Sequence, residues 1–313
     1  YHTIVADSRL TTTPDHYAFL KIAEGCSRQC AYCAIPIITG RHVSRSEEEI
    51  IEEVRGLAAS GVKELLVIAQ DLTYYGRDLY GEPRLPELIE KICRVDGIEW
   101  VRLHYGYPAQ FPMDLLRVMR EQPKVCKYLD IALQHASDHM LRVMRRGVTR
   151  QETEELLRRM REEVPGIAIR TTLMVGHPEE TDADFEELMD FVREQRFERM
   201  GAFMYSHEEG TYDYRHYSDN VPQEVKEERY DRLMTLQQEI ALKTAESMVG
   251  KTLRVLVDRE EEGHYIGRTE YDSPDVDPEV ILTGEASVGE FCQVRITGTA
   301  DYDLIGEVLS SES

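Results

Sequence analysis

The sequence predicts an α/β fold. It is an open six-unit (β/α)6 partial barrel of parallel strands, followed by a small all-β, OB-like barrel. Two observations carry the first part. Six short apolar runs alternate with amphipathic helical segments between residues 17 and 205, as in a parallel sheet covered by helices. Six units are also too few for a complete eightfold barrel. The second part rests on a change of texture after Gly250, where five short strands are split by turn residues.

In chain order, residues 1–16 are polar, and Thr11-Thr12-Thr13-Pro14 reads as a linker. Residues 17–23 form an apolar strand that runs into Glu24-Gly25-Cys26-Ser27-Arg28-Gln29-Cys30-Ala31-Tyr32-Cys33. Ser46-Glu47-Glu48-Glu49 is a capping box, and Ile50, Val54, Leu57 and Ala58 fall on one helical face, closed by Gly61. The alternation then repeats. Strand 65–69 precedes helix 85–95, strand 100–103 precedes 112–121, and strand 128–133 precedes segments 138–145 and 151–163. Strand 168–175 precedes a helix capped by Thr181, with Phe185, Leu188, Met189 and Val192 facing in, and strand 199–205 is sixth. Pro222 suits a helix start, and 224–248 reads as one long bridging helix. Strands are expected at 252–257, 264–266, 280–282, 291–297 and 304–308. The predicted organisation is a linker over 1–16, a catalytic barrel over 17–221, a bridge over 222–248 and the small barrel over 249–313.

Composition narrows the function classes. The formal net charge is −22, which argues against a nucleic-acid partner because phosphate binding runs on Lys and Arg. It is compatible with a basic protein partner, although a solvated acidic surface explains it equally well. No apolar run is long enough for a membrane-spanning helix, and no signal-peptide pattern is present. The chain begins at Tyr1, which reads as a piece of a longer protein. Of six cysteines, Cys26, Cys30 and Cys33 are clustered, while Cys93, Cys126 and Cys292 lie far apart. That pattern favours a metal centre in a reducing, cytoplasmic setting over a disulfide framework.

The spacing C-x3-C-x2-C allows three thiolates to meet one metal centre. It leaves that centre one ligand short of the four-cysteine set usual for an iron–sulfur cluster, so a position is open for a substrate or cofactor. The competing reading is a structural Cys3His zinc site with His42 as fourth ligand. Barrel sites gather at the C-terminal ends of the strands. There the candidates are Tyr32 beside the cysteines, Gln134 after strand four, Arg146 beyond it, Arg170 in strand five, and Met174 and Val175 as an apolar wall. For Gln134, Arg146 and Arg170 a structural hydrogen bond or ion pair is the alternative, and for Met174 and Val175 plain core. His177 is assigned no role.

This motif after the first strand of a six-unit barrel resembles the radical S-adenosylmethionine (SAM) enzymes, with Tyr32 as the aromatic before the last cysteine. The resemblance narrows to the methylthiotransferase branch through Cys33-Ala34-Ile35-Pro36, Gly40-Arg41, Ser44-Arg45-Ser46, Gly61-Val62-Lys63-Glu64-Leu65, Ala69-Gln70-Asp71 and Tyr74-Tyr75-Gly76. Val175-Gly176-His177-Pro178-Glu179-Glu180-Thr181 matches V-G-F-P-G-E-T, departing at His177 and Glu179. Tyr205-Ser206 and Glu208-Glu209-Gly210-Thr211 match the segment after strand six. The small barrel resembles a TRAM domain, and Ile266-Gly267-Arg268-Thr269-Glu270-Tyr271-Asp272-Ser273-Pro274 fits the members that modify a ribosomal protein.

The resemblance implies that Cys26, Cys30 and Cys33 ligate a [4Fe–4S] cluster whose open iron binds SAM. Reductive cleavage of SAM would then yield a 5′-deoxyadenosyl radical. It implies SAM contacts from Gln70, with Tyr32, Gln134, Arg146, Arg170, Met174 and Val175 placed to assist. The implied overall reaction is methylthiolation of an aspartate β-carbon in ribosomal protein S12, with an electron donor as further partner. A tRNA adenosine methylthiotransferase is the alternative within the branch, and a zinc-stabilised ribosomal-protein-binding module the alternative outside it. Family members carry a second [4Fe–4S] cluster on an N-terminal domain with three more cysteines. No cysteine precedes Cys26 here, so the chain is expected to cleave SAM without completing sulfur transfer. Residues 249–313 hold five Lys/Arg against fifteen Asp/Glu, which disfavours tRNA and suits a basic protein. Asp272, Asp275, Asp277 and Glu279 are expected to form part of that docking face.

Overall fold

A computed structural model of the chain describes residues 13–309. The expected linker up to residue 12 and the last four residues lie outside them. Strand β1 (Tyr17–Lys21) leads through the two-residue β2 (Ala23–Glu24) into the cysteine loop. A short helix α1 (Ile35–Thr39) and β3 (Val43–Ser44) follow, β3 pairing antiparallel with β2. Ser46 caps α2 (Glu47–Ala59) through the reciprocal capping box with Glu49. The alternation continues with β4 (Glu64–Ile68), a 3-10 turn at Leu72–Tyr74, α3 (Leu85–Cys93), β5 (Trp100–Gly106), α4 (Asp114–Glu121) and β6 (Val125–Ile131). Then come α5 (Asp138–Val143), α6 (Arg150–Glu163), β7 (Ala168–Val175), α7 (Asp182–Gln195) and β8 (Arg199–Met204).

The six long strands form one sheet in the order β1-β4-β5-β6-β7-β8, with every pairing parallel. Side chains alternate across it. Ala18, Leu20, Leu65, Val67, Val101, Leu103, Ile169, Leu173 and Val175 face the helices and form the main core with Ile50, Leu88, Phe185 and Leu233. The opposite parity, including Glu64, Arg102, His104, Asp130 and Arg170, faces the lumen. Sequence analysis missed β2, β3, α1, the 3-10 turn and α8 (Tyr212–His216), all too short to show a period.

The bridge is α9 (Gln223–Glu246), which packs Leu233 and Ile240 against the helix-side core. Its last turn brings Ala245 to a second core with Val255, Val257, Val280 and Val294. That core fills a closed five-stranded barrel, in the order β10-β11-β13-β12-β9, built from β9 (Thr252–Glu261), β10 (His264–Thr269), β11 (Val280–Thr283), β12 (Phe291–Ala300) and β13 (Asp303–Val308). A bulge that leaves Asp258 unpaired opposite Ile266/Gly267 bends β9.

The small barrel closes the floor of the large one. Arg102, fully buried on β5, bonds Glu64 through Nε at 2.7 Å and donates to the carbonyls of Glu270 and Thr269. Arg268 reaches Glu64 Oε2 at 2.7 Å and Asp258 Oδ2 at 2.6 Å, and Asp258 also holds His16 at 2.8 Å. Burial alone would push the Glu64 carboxyl up, but Arg268 and Arg102 outweigh it and bring it down to about 2.

The same contacts overturn the expected acidic docking face. Asp272 is buried on Arg199, Asp277 holds Arg170 at 3.2 Å, and Glu279 forks to Arg259. Asp275 alone of the four is exposed. In the loop after β10, Asp272 and Asp277 compensate lumen arginines, while Glu279 pairs with exposed Arg259 on the small barrel.

Candidate active site at the cysteine loop

The loop after β1 is shaped by its backbone. Gly25 sits at φ 78°, where a Cβ would collide with the carbonyl oxygen of Arg41. Cys26 N–H donates to the Gly40 carbonyl at 3.1 Å, and Ala31 N–H to that of Met144 at 3.0 Å. These ties turn Cys26, Cys30 and Cys33 into one cavity of about 460 Å³ at the C-terminal ends of the strands. Lys21, Arg28, Tyr32, Ile35, Gln70, Tyr107, Gln134 and Arg146 complete most of its wall.

The thiols are free and in different settings. Burial pushes Cys26 up to about 11 and raises Cys33 as well. Cys30 Sγ receives Arg146 Nη1 at 3.1 Å and lies 3.5 Å from the Tyr107 hydroxyl. Arg146 is almost fully buried. Its Nη1 also meets the Tyr32 hydroxyl at 3.1 Å, its Nη2 donates to the Ala132 carbonyl, and its Nε has no partner among the described residues. Tyr107 donates to the Arg146 carbonyl at 2.8 Å. Its ring lies 4.2 Å from the guanidinium carbons of both Arg146 and Arg28. Arg28 is anchored on buried Asp71 at 2.7 Å.

Gln70 and Gln134 both reach the cavity. Gln70 Nε2 donates to Glu24 at 2.8 Å, while its Oε1 is buried without a partner among the described residues. Gln134 adopts φ 73° and bridges to β7, accepting from Met174 N–H at 2.8 Å. The other three expected contacts are not brought there. Arg170 lies near the N-terminal end of β7 and pairs with Asp277 of the small barrel. Val175 packs in the helix-side core, and Met174, on the opposite face, is not part of the cavity wall.

His177 also differs from expectation. It is fully buried, its Nε2 donates to Asp213 Oδ2 at 2.8 Å, and its Nδ1 accepts from Glu179 N–H. Asp213 N–H in turn donates to the Ala31 carbonyl, so α8 is pinned to the cysteine loop. Sequence reasoning missed Arg28, Tyr107 and this pair. Arg28 stood inside the cysteine motif, but nothing local marks Tyr107, whose place comes from the end of β5.

These residues fit an iron–sulfur cluster. Three reduced thiols share one cavity wall, and unpaired buried atoms of Gln70 and Arg146 belong to residues of that wall. Among the described residues no three His, Cys, Asp or Glu side chains converge as a single-ion site. Thiols that each take a different iron need not converge so closely. His42, the fourth ligand of the zinc reading, lies off this cavity, with Nε2 on Ser44 and its ring on Tyr74.

Parallel partial barrel and cysteine-lined cavity together define a class, the radical SAM enzymes. The Radical SAM superfamily family model matches residues 20–192, and the TRAM domain model residues 249–309. The chain is 60% identical over 312 residues to the ribosomal protein uS12 methylthiotransferase RimO of Parabacteroides distasonis. It is 58% identical over 313 residues to that of Bacteroides thetaiotaomicron. Each alignment covers 99% of this chain and 72% of the relative. The chain belongs to this methylthiotransferase family.

Solved structures share the fold alone. Coproporphyrinogen III oxidase from Escherichia coli, a radical SAM enzyme, matches at TM-score 0.56 and 14% identity, covering 91% of this chain and 68% of that one. The radical SAM methyltransferase TsrM from Kitasatospora setae, with cobalamin and a [4Fe-4S] cluster bound, matches at 0.50 and 19%, covering 60% and 36%.

Proposed function

We propose that the chain is the SAM-cleaving part of an enzyme that adds a methylthio group to an aspartate β-carbon of ribosomal protein uS12. The observation that carries this is 60% identity to a uS12 methylthiotransferase over nearly the whole chain. The cysteine cavity supplies a matching site. Cys26, Cys30 and Cys33 would hold a [4Fe–4S] cluster, which supplies the electron that cleaves bound SAM. Arg146 offers a guanidinium with no carboxylate partner among the described residues, suited to the SAM carboxylate. The free Oε1 of Gln70 suits the SAM ammonium, while Gln134 and Tyr32 border the remaining space. Apolar Ile35, Ile68 and Ala69 on the wall would exclude water from the reacting carbon.

A second, sulfur-supplying cluster is proposed to sit on sequence beyond these residues, because Cys93, Cys126 and Cys292 stand on separate elements. The reaction also needs an electron donor, and a cytoplasmic setting suits free thiols and a ribosomal substrate. No described helix is long and apolar enough to cross a membrane.

The test is anaerobic reconstitution followed by assay of 5′-deoxyadenosine. Wild type should form it under reduction, and Cys30→Ala should lose it with its iron. Zinc in place of iron and sulfide, or persisting cleavage in Cys30→Ala, would sink the proposal. A longer chain carrying the second cluster should add a methylthio mass to uS12 and leave tRNA unmodified.

A further inference from the structure

Cys30 differs from the other two thiols in what it touches. A guanidinium nitrogen reaches its sulfur at 3.1 Å, and a phenol lies at 3.5 Å. Cys26, among the described residues, receives only a backbone N–H, that of Arg28, at 3.4 Å. The guanidinium is permanently charged and held from several sides. Ala132 O takes Nη2, the Tyr32 hydroxyl lies on Nη1, and the Tyr107 ring packs on its face. The Tyr107 hydroxyl also fixes the Arg146 backbone at 2.8 Å. No carboxylate ion pair neutralises Arg146 among the described residues; Cys30, Tyr32, Tyr107 and the Ala132 carbonyl lie against it. A full positive charge therefore stands against one sulfur in a largely buried setting, where Coulomb terms are strong.

Hydrogen bonds and net charge around the sulfurs set the potential of an iron–sulfur group. The reduced form carries one more negative charge, so a fixed cation against a ligating sulfur favours it. We propose that Arg146, braced by Tyr107, raises the reduction potential of the iron–sulfur cluster bound through Cys30, making electron entry from the donor easier. Arg146 is in this role a tuning residue, in addition to any contact with SAM. The inference rests on the cluster assignment above, and the test keeps the two apart.

The experiment is an EPR-monitored redox titration of the anaerobically reconstituted protein without SAM, with iron and sulfide measured in each sample. Arg146→Gln should load the cluster and titrate at a more negative midpoint than wild type. Arg146→Lys keeps the charge without the planar fork and should fall between them. Tyr107→Phe retains the ring and should give a smaller shift of the same sign. If Arg146→Gln does not retain iron, Arg146→Lys and Tyr107→Phe decide the matter. Fully loaded variants with the wild-type midpoint, or a shift to more positive potential, overturn the inference and leave the cluster assignment standing. Failure of the wild type to bind iron and sulfide would instead overturn the cluster assignment.

Discussion

Arg102 and Arg146 are both buried arginines associated with the same barrel, one at its floor and one at its mouth. Arg102 is matched by Glu64 and two carbonyls from the small barrel. Arg146 faces a thiol, two phenols and a carbonyl, and its Nε is unpaired. Burying a charge with its counter-charge builds a structure. Burying one without it costs stability and leaves the charge available to a ligand. The contrast separates the part of the lumen that holds the molecule together from the part that does chemistry.

The two arginines should therefore fail in opposite ways. Arg102→Met strands Glu64 and should cost about 3–5 kcal/mol in a urea titration, while the folded fraction keeps its SAM affinity. Arg146→Met strands no carboxylate and removes a buried charge that lacks a counter-charge, so it should leave stability unchanged or raise it. Its loss of a charge-assisted contact, worth about 1.5–3 kcal/mol, should weaken SAM binding roughly tenfold or more by calorimetry. Equal stability losses for the two variants would erase the distinction.

Acid sharpens the same contrast. The native Glu64 carboxyl is held at about 2 against an ordinary 4.5. The unfolded chain therefore binds this proton first as the pH falls. The Glu64 contribution is complete above about 4.5 and disappears as the pH drops through 2. Glu64→Gln should be less stable near neutrality and show a flatter stability profile between those limits. An unchanged acid limb would count against the floor network.

Smaller effects belong to the edges. Gln70→Leu removes one uncharged contact at the mouth and should weaken SAM binding several-fold, at about 1 kcal/mol. The exposed Arg254–Glu99 pair between the barrels, at 2.8 Å, should contribute less than about 1 kcal/mol, and the effect of Glu99→Gln should fade in salt.

Much of the fold was legible because the strands are apolar runs and the helices carry capping residues such as Ser46 and Thr181. The cysteine loop was legible because its ligands are neighbours in sequence. What escaped depends on long-range placement. Arg170 looked like a ligand contact because a charge in an apolar strand needs a partner, but the partner, Asp277, lies 107 residues on in the other barrel. Tyr107 became a site residue through the packing of β5 beside the loop. Nothing near His177 in sequence marks its partner, Asp213, which α8 brings against it.

The plugged floor bears on when this protein can finish folding. Domains generally form as units from the N-terminus during synthesis. Here Arg102, Arg170 and Arg199 find their carbonyl or carboxylate partners between Thr269 and Asp277, far along the chain. A nascent chain halted after β8 would hold six strands around three guanidiniums lacking those partners. Such a stalled intermediate should stay open to proteases until the last strands emerge from the ribosome. The floor is completed only once the small barrel has been made.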